Sequence, residues 1–338
     1  MAQIIYINIA WQQNFYELKK ELIGENKKMK INKTQLIDKI ANEVIKKIDT
    51  HGSKFLKSWV ALGLPKNIRG TNYTGFNVIS LWVAKEENKF KSNVWATFNQ
   101  IKNKGGQVLK GSTASDVMYM QPALYRKAKE NEEVSKNGSV KVQYNLMRLY
   151  KVFNLDQTTL KDSDVIEADG SNTLPNIETY LKNTGAKIKY GVKENLMYSD
   201  MCYYVPSHDY IGMVDKTSFK TINGATATQN FYSVVLHELT HWTGHETRCN
   251  RKAKYDGKFF NDFNSADKYA FEELVAEIGA SIQCCMLGLT NEPAKHSLQY
   301  LSGWKAKLKA KPETILKASA MAQAGVRFID NLQKKHPA

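Results

Sequence analysis

The residues best suited to chemistry in this chain form the pattern His237-Glu238-Leu239-Thr240-His241. Residues four positions apart share one face of a helix, so His237 and His241 can both present an imidazole to one metal ion. Glu238 borders the same face, where its carboxylate can take a proton from a metal-bound water and later donate it to a leaving group. The spacing therefore predicts a hydrolytic zinc site with Glu238 as general base. The alternative is a pair of core histidines that only make hydrogen bonds.

The residues around this pattern predict a short and mostly buried helix. Its apolar face is formed by Phe231, Val234, Val235 and Leu239. Thr226 or Thr228 can cap the start of the helix, and Gly244 is suited to end it. His245 is an unsuitable ligand, because eight residues of helix would separate it from His237 by about 12 Å.

A catalytic zinc ion needs a third protein ligand, and the segment from Tyr269 to Ile282 offers one. At 100° per residue, its bulky side chains fall on one face, and the opposite face carries Glu273, Ala276, Glu277, Ala280 and Cys284. Small residues allow close approach to another helix, which would bring the two carboxylates to the metal. We predict Glu273 as the third ligand and Glu277 as a partner that orients a histidine. The alternative is that both acids lie exposed on an ordinary amphipathic helix.

The charge of the chain is unevenly distributed. The net charge is +15, and residues 1–165 carry 27 Lys and Arg against 15 Asp and Glu. A basic first half predicts a module that binds a polyanion, unless the lysines only keep the protein soluble. No segment approaches the roughly 18 apolar residues of a membrane span, and four cysteines make no disulfide framework. We therefore expect a cytoplasmic protein without a membrane partner.

Composition and periodicity divide the chain into four parts. Residues 1–28 differ in pattern from the rest of the chain, and Met29 offers a second start, so we expect a leader that is not part of the fold. Residues 29–161 combine helical and strand patterns, residues 162–174 read as a polar linker, and residues 175–338 hold the metal pattern. The fold class predicted from these patterns is α+β, in two domains.

The first predicted domain is rich in aromatic and basic residues, a combination suited to single-stranded nucleic acid. Phosphates require cations, and the face of an aromatic ring can stack on any base. The candidate contacts to single-stranded DNA are Tyr73, Phe76, Trp95, Lys102, Lys104 and Lys110. The alternative for each ring is a place in the core.

Several blocks of sequence resemble the ArdC family of antirestriction proteins from plasmids, phages and other mobile elements. In chain order the blocks are Tyr73–Asn77, Trp95–Gln100, Gly105–Gly111, Tyr150–Asn154, Tyr204–Ile211, His237–His245 and Glu272–Glu277. The family often has Tyr-Arg-Gly-Ile-Asn where this chain has Thr74 and Phe76, a departure that bears on DNA contacts, and often has Pro where it has Val214. The resemblance implies a single-stranded-DNA-binding domain, a zincin-like metallopeptidase domain and protection of incoming DNA from host restriction.

Three functions fit these residues. The first is an active zinc peptidase, carried on single-stranded DNA, that cuts a protein of the host such as a restriction enzyme. The second is a non-proteolytic DNA-binding shield with a structural zinc fold. The third is a protease that acts on DNA-bound proteins and has no mobile-element role. An intact Glu238 argues against the second function, because a structural zinc site has no use for a general base.

Overall fold

The computed structural model describes residues 32–52, 60–120, 124–127, 139–142, 147–161, 176–191, 202–221, 225–255, 257–289 and 300–334. The chain divides into a short N-terminal unit, Met1–Leu36, and a compact unit, Ile37–Ala338. The leader predicted over residues 1–28 and the linker predicted over residues 162–174 lie outside the described residues.

Nine α-helices lie in the described part of the chain. They are α1 (Lys33–His51), α2 (Phe76–Glu87), α3 (Phe98–Asn103), α4 (Ile177–Thr184), α5 (Ala227–Trp242), α6 (Arg251–Lys254), α7 (Ser265–Met286), α8 (Leu301–Ala310) and α9 (Glu313–Gln333). The predicted helix of the metal pattern is α5, and the helix predicted to supply Glu273 is α7, so both predictions are confirmed. None of these helices has the length and apolar character needed to cross a membrane.

Nine strands in the described residues form three sheets. The strands are β1 (Lys66–Asn67), β2 (Val94–Ala96), β3 (Ser115–Met120), β4 (Leu124–Lys127), β5 (Ser139–Val142), β6 (Met147–Asn154), β7 (Lys187–Tyr190), β8 (Tyr203–Val205) and β9 (Tyr210–Met213). The sheet orders are β1-β2-β6-β3, β4-β5 and β7-β9-β8. The pairs β1–β2 and β7–β9 are parallel, and the other neighbours are antiparallel.

Helix α2 fills the core beside the four-stranded sheet. It is buried from Phe76 to Lys85 apart from Asn77, because its sequence is apolar on nearly every side. The backbone of the outer strand β3 faces this helix: Ser80 Oγ donates to the carbonyl of Asp116 at 3.1 Å. The helix therefore covers an edge of the sheet that would otherwise be open to pairing.

The block Tyr73–Asn77 joins three elements at the start of α2. Gly75 has φ 59° and ψ −133°, a conformation that only glycine adopts without strain. Its N–H donates to Gln323 Oε1 of α9 at 2.9 Å. The Asn77 amide pairs with the backbone of Met118 in β3, donating to its carbonyl and accepting from its N–H, both at 2.7 Å. This block therefore has a structural role.

Helices α5, α7 and α9 and the sheet β7-β9-β8 form the second part of the fold. Helices α5 and α7 approach closely at Gly279, where a Cβ would lie 2.5 Å from Thr240 Cγ2. Ala280 and Cys284, from the small-residue face predicted for α7, belong to the same buried cluster as Leu236 of α5. Glu273 and Glu277 are only 2 % and 1 % exposed, which excludes the alternative of surface acids.

The two parts are packed together within the compact unit Ile37–Ala338. Helix α9 contacts α2 of the first part as well as α5 and α7 of the second. Val60 belongs to the same buried cluster as Leu236 of α5. The predicted α+β class is confirmed. Helix α9 packs against helices of both parts, so the two parts share a buried contact.

Candidate metal centre

Helix α5 begins and ends as its local sequence requires. The Thr226 side chain accepts from the N–H of Gln229, and the Gln229 side chain accepts from the N–H of Thr226, so the predicted cap is confirmed. Gly244 follows the helix, but not in the left-handed conformation expected of it. A Cβ there would lie 2.7 Å from Nη2 of Arg251, so the glycine leaves room for a guanidinium.

The side chains of His237, His241 and Glu273 converge on one point. Nε2 of His241 lies 3.1 Å from Nε2 of His237. The two oxygens of Glu273 lie 3.3 Å from Nε2 of His237 and 3.4 Å from Nε2 of His241. Ligand atoms around a tetrahedral zinc ion with bonds of about 2.0–2.1 Å are about 3.3–3.4 Å apart. The three predicted ligands therefore match the size and chemistry of a zinc site.

A second carboxylate lies near Nδ1 of each histidine, the ring nitrogen on the side away from the cluster. Nδ1 of His237 lies 3.4 Å from Oε1 of Glu277, the partner predicted from the sequence. Nδ1 of His241 lies 3.2 Å from Oε1 of Glu272, a residue for which no role was predicted. Such carboxylates fix the ring orientation of a metal-binding histidine and raise its basicity. The position of Glu272 directly before Glu273 was the available signal for this role.

Glu272 is itself held by a buried arginine. Nε of Arg251 donates to both oxygens of Glu272, at 3.1 and 3.0 Å, and the phenol of Tyr255 donates to Oε2. The remaining guanidinium nitrogens of Arg251 bond Thr243 Oγ1 and the carbonyl of Thr240, both at 2.7 Å. Arg251 is 1 % exposed, so this network ties the metal helix α5 to α6 and α7 inside the protein.

The electrostatics of the centre favour a cation. Burial disfavours the charged forms of both histidines, but carboxylates outweigh it. Glu277 and Glu273 raise the pKa of His237, and Glu273 and Glu272 raise that of His241 well above its usual value. Burial also acts to raise the pKa of Glu272, yet Arg251 and His241 overcome it and lower that pKa to about 2. The protein thus surrounds two imidazoles with negative charge, which protons and metal ions compete to neutralise.

Two further groups border the centre. Glu238 is 2 % exposed, and its negative charge acts to raise the pKa of both the His241 imidazole and the Cys202 thiol. Tyr269 is 54 % exposed and hydrogen-bonds the side chain of Glu273 one turn further along α7. Glu238 is therefore buried, whereas Tyr269 reaches the solvent.

An edge strand runs beside the metal helix. Strand β8 is one of the two outer strands of the sheet β7-β9-β8, and α5 contacts both β8 and β9. Arg248 fastens the β8–β9 hairpin to the end of α5: it donates to Asp209 Oδ2 at 3.0 Å, to the phenol of Tyr204 at 3.0 Å and to the carbonyl of Trp242 at 2.6 Å. Within the described residues no further strand pairs with β8, and a strand edge held in place in this way can pair with an extended peptide.

The candidate DNA-binding rings are mostly inside the protein. Trp95 and Phe76 are 0 % and 5 % exposed, which corrects the prediction that they stack on bases. Tyr73 is partly buried, and burial raises its pKa to about 12. Every residue of the short strand around Trp95 is buried, so the usual alternation of exposed and buried positions is missing. In the described chain, exposed rings near the predicted interface belong to Phe98, Tyr119 and Tyr150.

The candidate lysines differ from the rings. Lys102, Lys104 and Lys110 are all exposed. Among the described residues, none of the three forms a salt bridge with a carboxylate, whereas Lys151 pairs with Asp116 at 3.1 Å. Their ammonium groups therefore remain available to a phosphate, and their contact with DNA stays a prediction.

Two family models match consecutive parts of the chain. The model described as the N-terminal domain of anti-restriction factor ArdC matches residues 34–153, and the one described as a zincin-like metallopeptidase matches residues 175–321. The matches contain the four-stranded sheet and the metal centre, respectively. The zincin-like fold is a metal-binding one, which supports the predicted metal cofactor.

Known proteins share this arrangement. The chain is 24 % identical to the uncharacterized protein y4eC of Sinorhizobium fredii, with 86 % of this chain and 90 % of that protein covered. It is 27 % identical to a DNA primase TraC of Escherichia coli over 88 % of its own length, but spans only 27 % of that primase. The shared region is thus a module that also occurs within much longer proteins.

Solved structures match nearly the whole fold. The crystal structure of the antirestriction protein ArdC from plasmid R388 in its metal-free form has a TM-score of 0.69 and 28 % identity, with 88 % of this chain and 98 % of that chain covered. The Mn(II)-bound form of the same protein gives a TM-score of 0.66, also at 28 % identity, with 89 % and 98 % covered. A metal-bound relative confirms the metal cofactor predicted for this fold. With both domains present in order and this agreement of structure, the chain belongs to the ArdC family of antirestriction proteins.

Proposed function

We propose that this antirestriction protein binds single-stranded DNA and hydrolyses a protein of the host at its metal centre. The observation that carries the hydrolytic part is the cluster of two imidazole nitrogens 3.1 Å apart with a different Glu273 oxygen 3.3–3.4 Å from each of them. Glu238, next to His237 in the sequence, is buried. A purely structural zinc site is closed by four protein ligands. Here, among the described residues, the cluster that could hold a metal contains only His237, His241 and Glu273, which leaves one position for water or substrate.

The chain supplies the remaining parts of a peptidase. A zinc ion on His237, His241 and Glu273 would polarise a peptide carbonyl and lower the pKa of a bound water. Glu238 would accept the proton of that water and deliver it to the leaving amine. Glu277 and Glu272 would hold the imidazoles in place. An extended peptide would pair with the edge of β8 beside the centre.

The DNA-binding part rests on charge. The first 165 residues carry most of the net charge of +15, and the exposed Lys102, Lys104 and Lys110 lie in this half. Phosphate neutralisation by such cations gives affinity without sequence preference. A single strand would then carry the peptidase to the place where a restriction enzyme meets incoming DNA, which makes restriction enzymes the first proteins to test as substrates.

The test combines metal analysis with a proteolysis screen against host restriction enzymes. Glu238→Gln keeps the size and hydrogen bonding of the side chain but cannot accept a proton. We expect it to retain the metal and lose cleavage by at least the roughly 10²–10⁴-fold typical of general acid–base catalysis. Cleavage at the normal rate would contradict the role of Glu238.

The same variant separates proteolysis from shielding. Protection of DNA from restriction is measured in cells that carry wild-type protein or Glu238→Gln. Loss of protection supports the peptidase. Full protection by the variant would instead identify the protein as a non-proteolytic shield, and the hydrolytic proposal would be wrong.

A further inference from the structure

Two of the sequence blocks that mark the family meet at one cavity. Residues of Trp95–Gln100 and Gly105–Gly111 line an open cavity of about 470 Å³ beside α3. Its wall includes Phe98, Ile101, Lys102, Gly105, Gly106 and Val108. It lies in the part of the chain matched by the ArdC N-terminal family model, away from the metal centre in sequence. We call it the Phe98 cavity.

Helix α3 presents a ring and a cation on one side of this cavity. The Thr97 side chain accepts from the N–H of Gln100, and the Gln100 side chain accepts from the N–H of Thr97, so the helix begins at Phe98. Phe98 and Lys102 are four positions apart and therefore share a helix face. Phe98 is 56 % exposed, although burying a phenylalanine side chain is worth about 1.5–3 kcal/mol.

The loop after α3 forms a fixed second wall. A Cβ on Gly106 would lie 2.5 Å from Cγ of Leu160, so only glycine lets the loop lie against that side chain. The N–H of Leu109 donates to the carbonyl of Gln157 at 2.9 Å, and Val108 forms an isolated bridge with Thr158. Leu109 is itself 45 % exposed. The cavity is thus formed before any ligand arrives.

The described residues that line the cavity carry positive charge only. Lys102 is one of them, and none of those described is acidic. Lys104 and Lys110 belong to the same loop, are exposed and, in the described part of the chain, pair with no carboxylate. An exposed ring with Lys102 in the same cavity wall and two further lysines in the adjoining loop complements a nucleobase and the phosphates on either side of it.

We propose that the Phe98 cavity binds one nucleobase of a single DNA strand. The ring of Phe98 stacks on the base, and Lys102, Lys104 and Lys110 neutralise the flanking phosphates. This assignment rests on the proposed binding of single-stranded DNA and gives it a site. It also replaces Trp95 with Phe98 as the stacking residue, since Trp95 anchors the same block in the core.

The test is a binding titration of the full chain. The probe is a fluorescein-labelled oligothymidylate of about 20 nucleotides, a length that exceeds the 4–16 nucleotides of a typical single-strand site. Phe98→Ala should weaken binding by about 5- to 150-fold, the range for the loss of one stacked base. Phe98→Tyr should restore affinity, and Phe98→Leu, which keeps the apolar contact without the ring face, should not.

A matched control separates this site from other exposed rings. Tyr190 of β7 is 54 % exposed and lies outside the basic half, so Tyr190→Ala should bind like the wild type. Each variant is melted to show that its fold is intact. If the wild type does not bind the oligonucleotide, the proposed DNA-binding function fails. If it binds and Phe98→Ala binds equally well, the DNA-binding function stands and the Phe98 cavity is not its site.

Photocrosslinking identifies the contact directly. An oligothymidylate with 5-iodouracil in place of single thymines is irradiated in complex with the protein, and the modified peptide is identified by mass spectrometry. We expect adducts at Phe98. The rings of Tyr119 and Tyr150, 5.8 Å apart on β3 and β6, form the competing surface. Adducts confined to these two tyrosines would overturn the proposal.

Discussion

Oε1 of Glu272 lies 3.2 Å from Nδ1 of His241, on the side of the imidazole that faces away from the metal cluster. The same carboxylate is bonded by the buried Arg251, so a histidine of the motif helix is connected to a cation ten residues further along the chain. The ligand set is therefore supported by charges that the motif does not contain.

Loss of Glu272 should weaken metal binding without abolishing it. Glu272→Gln removes the charge that orients His241 and raises its basicity, so we expect metal affinity to fall by roughly 10- to 100-fold. Competition with a chromophoric chelator measures this affinity. Glu246 is exposed and follows the motif, and Glu246→Gln should bind metal like the wild type. Equal affinity of the two variants would show that Glu272 does not orient a ligand.

The same carboxylate should make the stability of the metal-free protein depend on pH. The pKa of Glu272 is lowered to about 2 in the fold, against about 4.3 for a glutamate in an unfolded chain. The stabilisation is therefore complete above pH about 4.3 and is lost as the pH falls from there towards 2. Urea unfolding in the presence of a chelator should show wild type more stable than Glu272→Gln at pH 7. The difference should shrink below pH about 4.3, and a constant difference would contradict the assigned pKa.

The predicted ligands should differ sharply from their neighbours in metal content. We expect about one zinc ion per chain, lost in His237→Ala and Glu273→Ala. His245→Ala should retain the metal, because Nδ1 of His245 contacts Thr247 Oγ1 at 2.9 Å, outside the cluster. Glu277→Ala should weaken affinity by roughly 10- to 100-fold. Elemental analysis of the purified variants checks this. Zinc lost from His245→Ala but kept by Glu273→Ala would refute the ligand set.

The contact between α5 and α7 should tolerate no added methyl group. A Cβ on Gly279 would lie 2.5 Å from Thr240 Cγ2, so Gly279→Ala must separate the helices that carry the ligands. We expect a loss of about 1–3 kcal/mol in the free energy of unfolding and a weaker metal affinity. Gly303→Ala is the matched control, because a Cβ there meets Ala270 Cβ at an ordinary 3.5 Å. Urea titrations compare the two, and equal stability would contradict the close packing.

Lys102, Lys104 and Lys110 should determine how DNA binding responds to salt. Each phosphate contact with a single strand contributes about 0.7 to the slope of log affinity against log salt. Replacing Lys102, Lys104 and Lys110 together by glutamine should therefore reduce the slope by about 2. Anisotropy titrations of the full chain at several salt concentrations measure it. Lys309 is exposed and distant in sequence, and its replacement should leave the slope unchanged.

Local chemistry was enough to determine the metal motif from the sequence. The spacing of His237 and His241 matters only within one helix, and the Thr226 cap that starts this helix is a contact over three residues. The face shared by Glu273 and Glu277 follows from helical periodicity in the same way. Such features depend on interactions between near neighbours, so they can be read without knowing how the chain folds.

Only the tertiary structure decided which charged residues support the metal ligands and which aromatic rings are exposed. Arg251 reaches Glu272 and the carbonyl of His241 because α6 folds back along the end of α5. Gly244 is required there because a Cβ would collide with the Arg251 guanidinium, and not because its backbone is left-handed. Trp95 and Phe98 are three residues apart and equally aromatic, yet one is buried and the other exposed. Composition cannot distinguish them, because burial depends on which elements pack against each ring, and these elements come from distant parts of the chain.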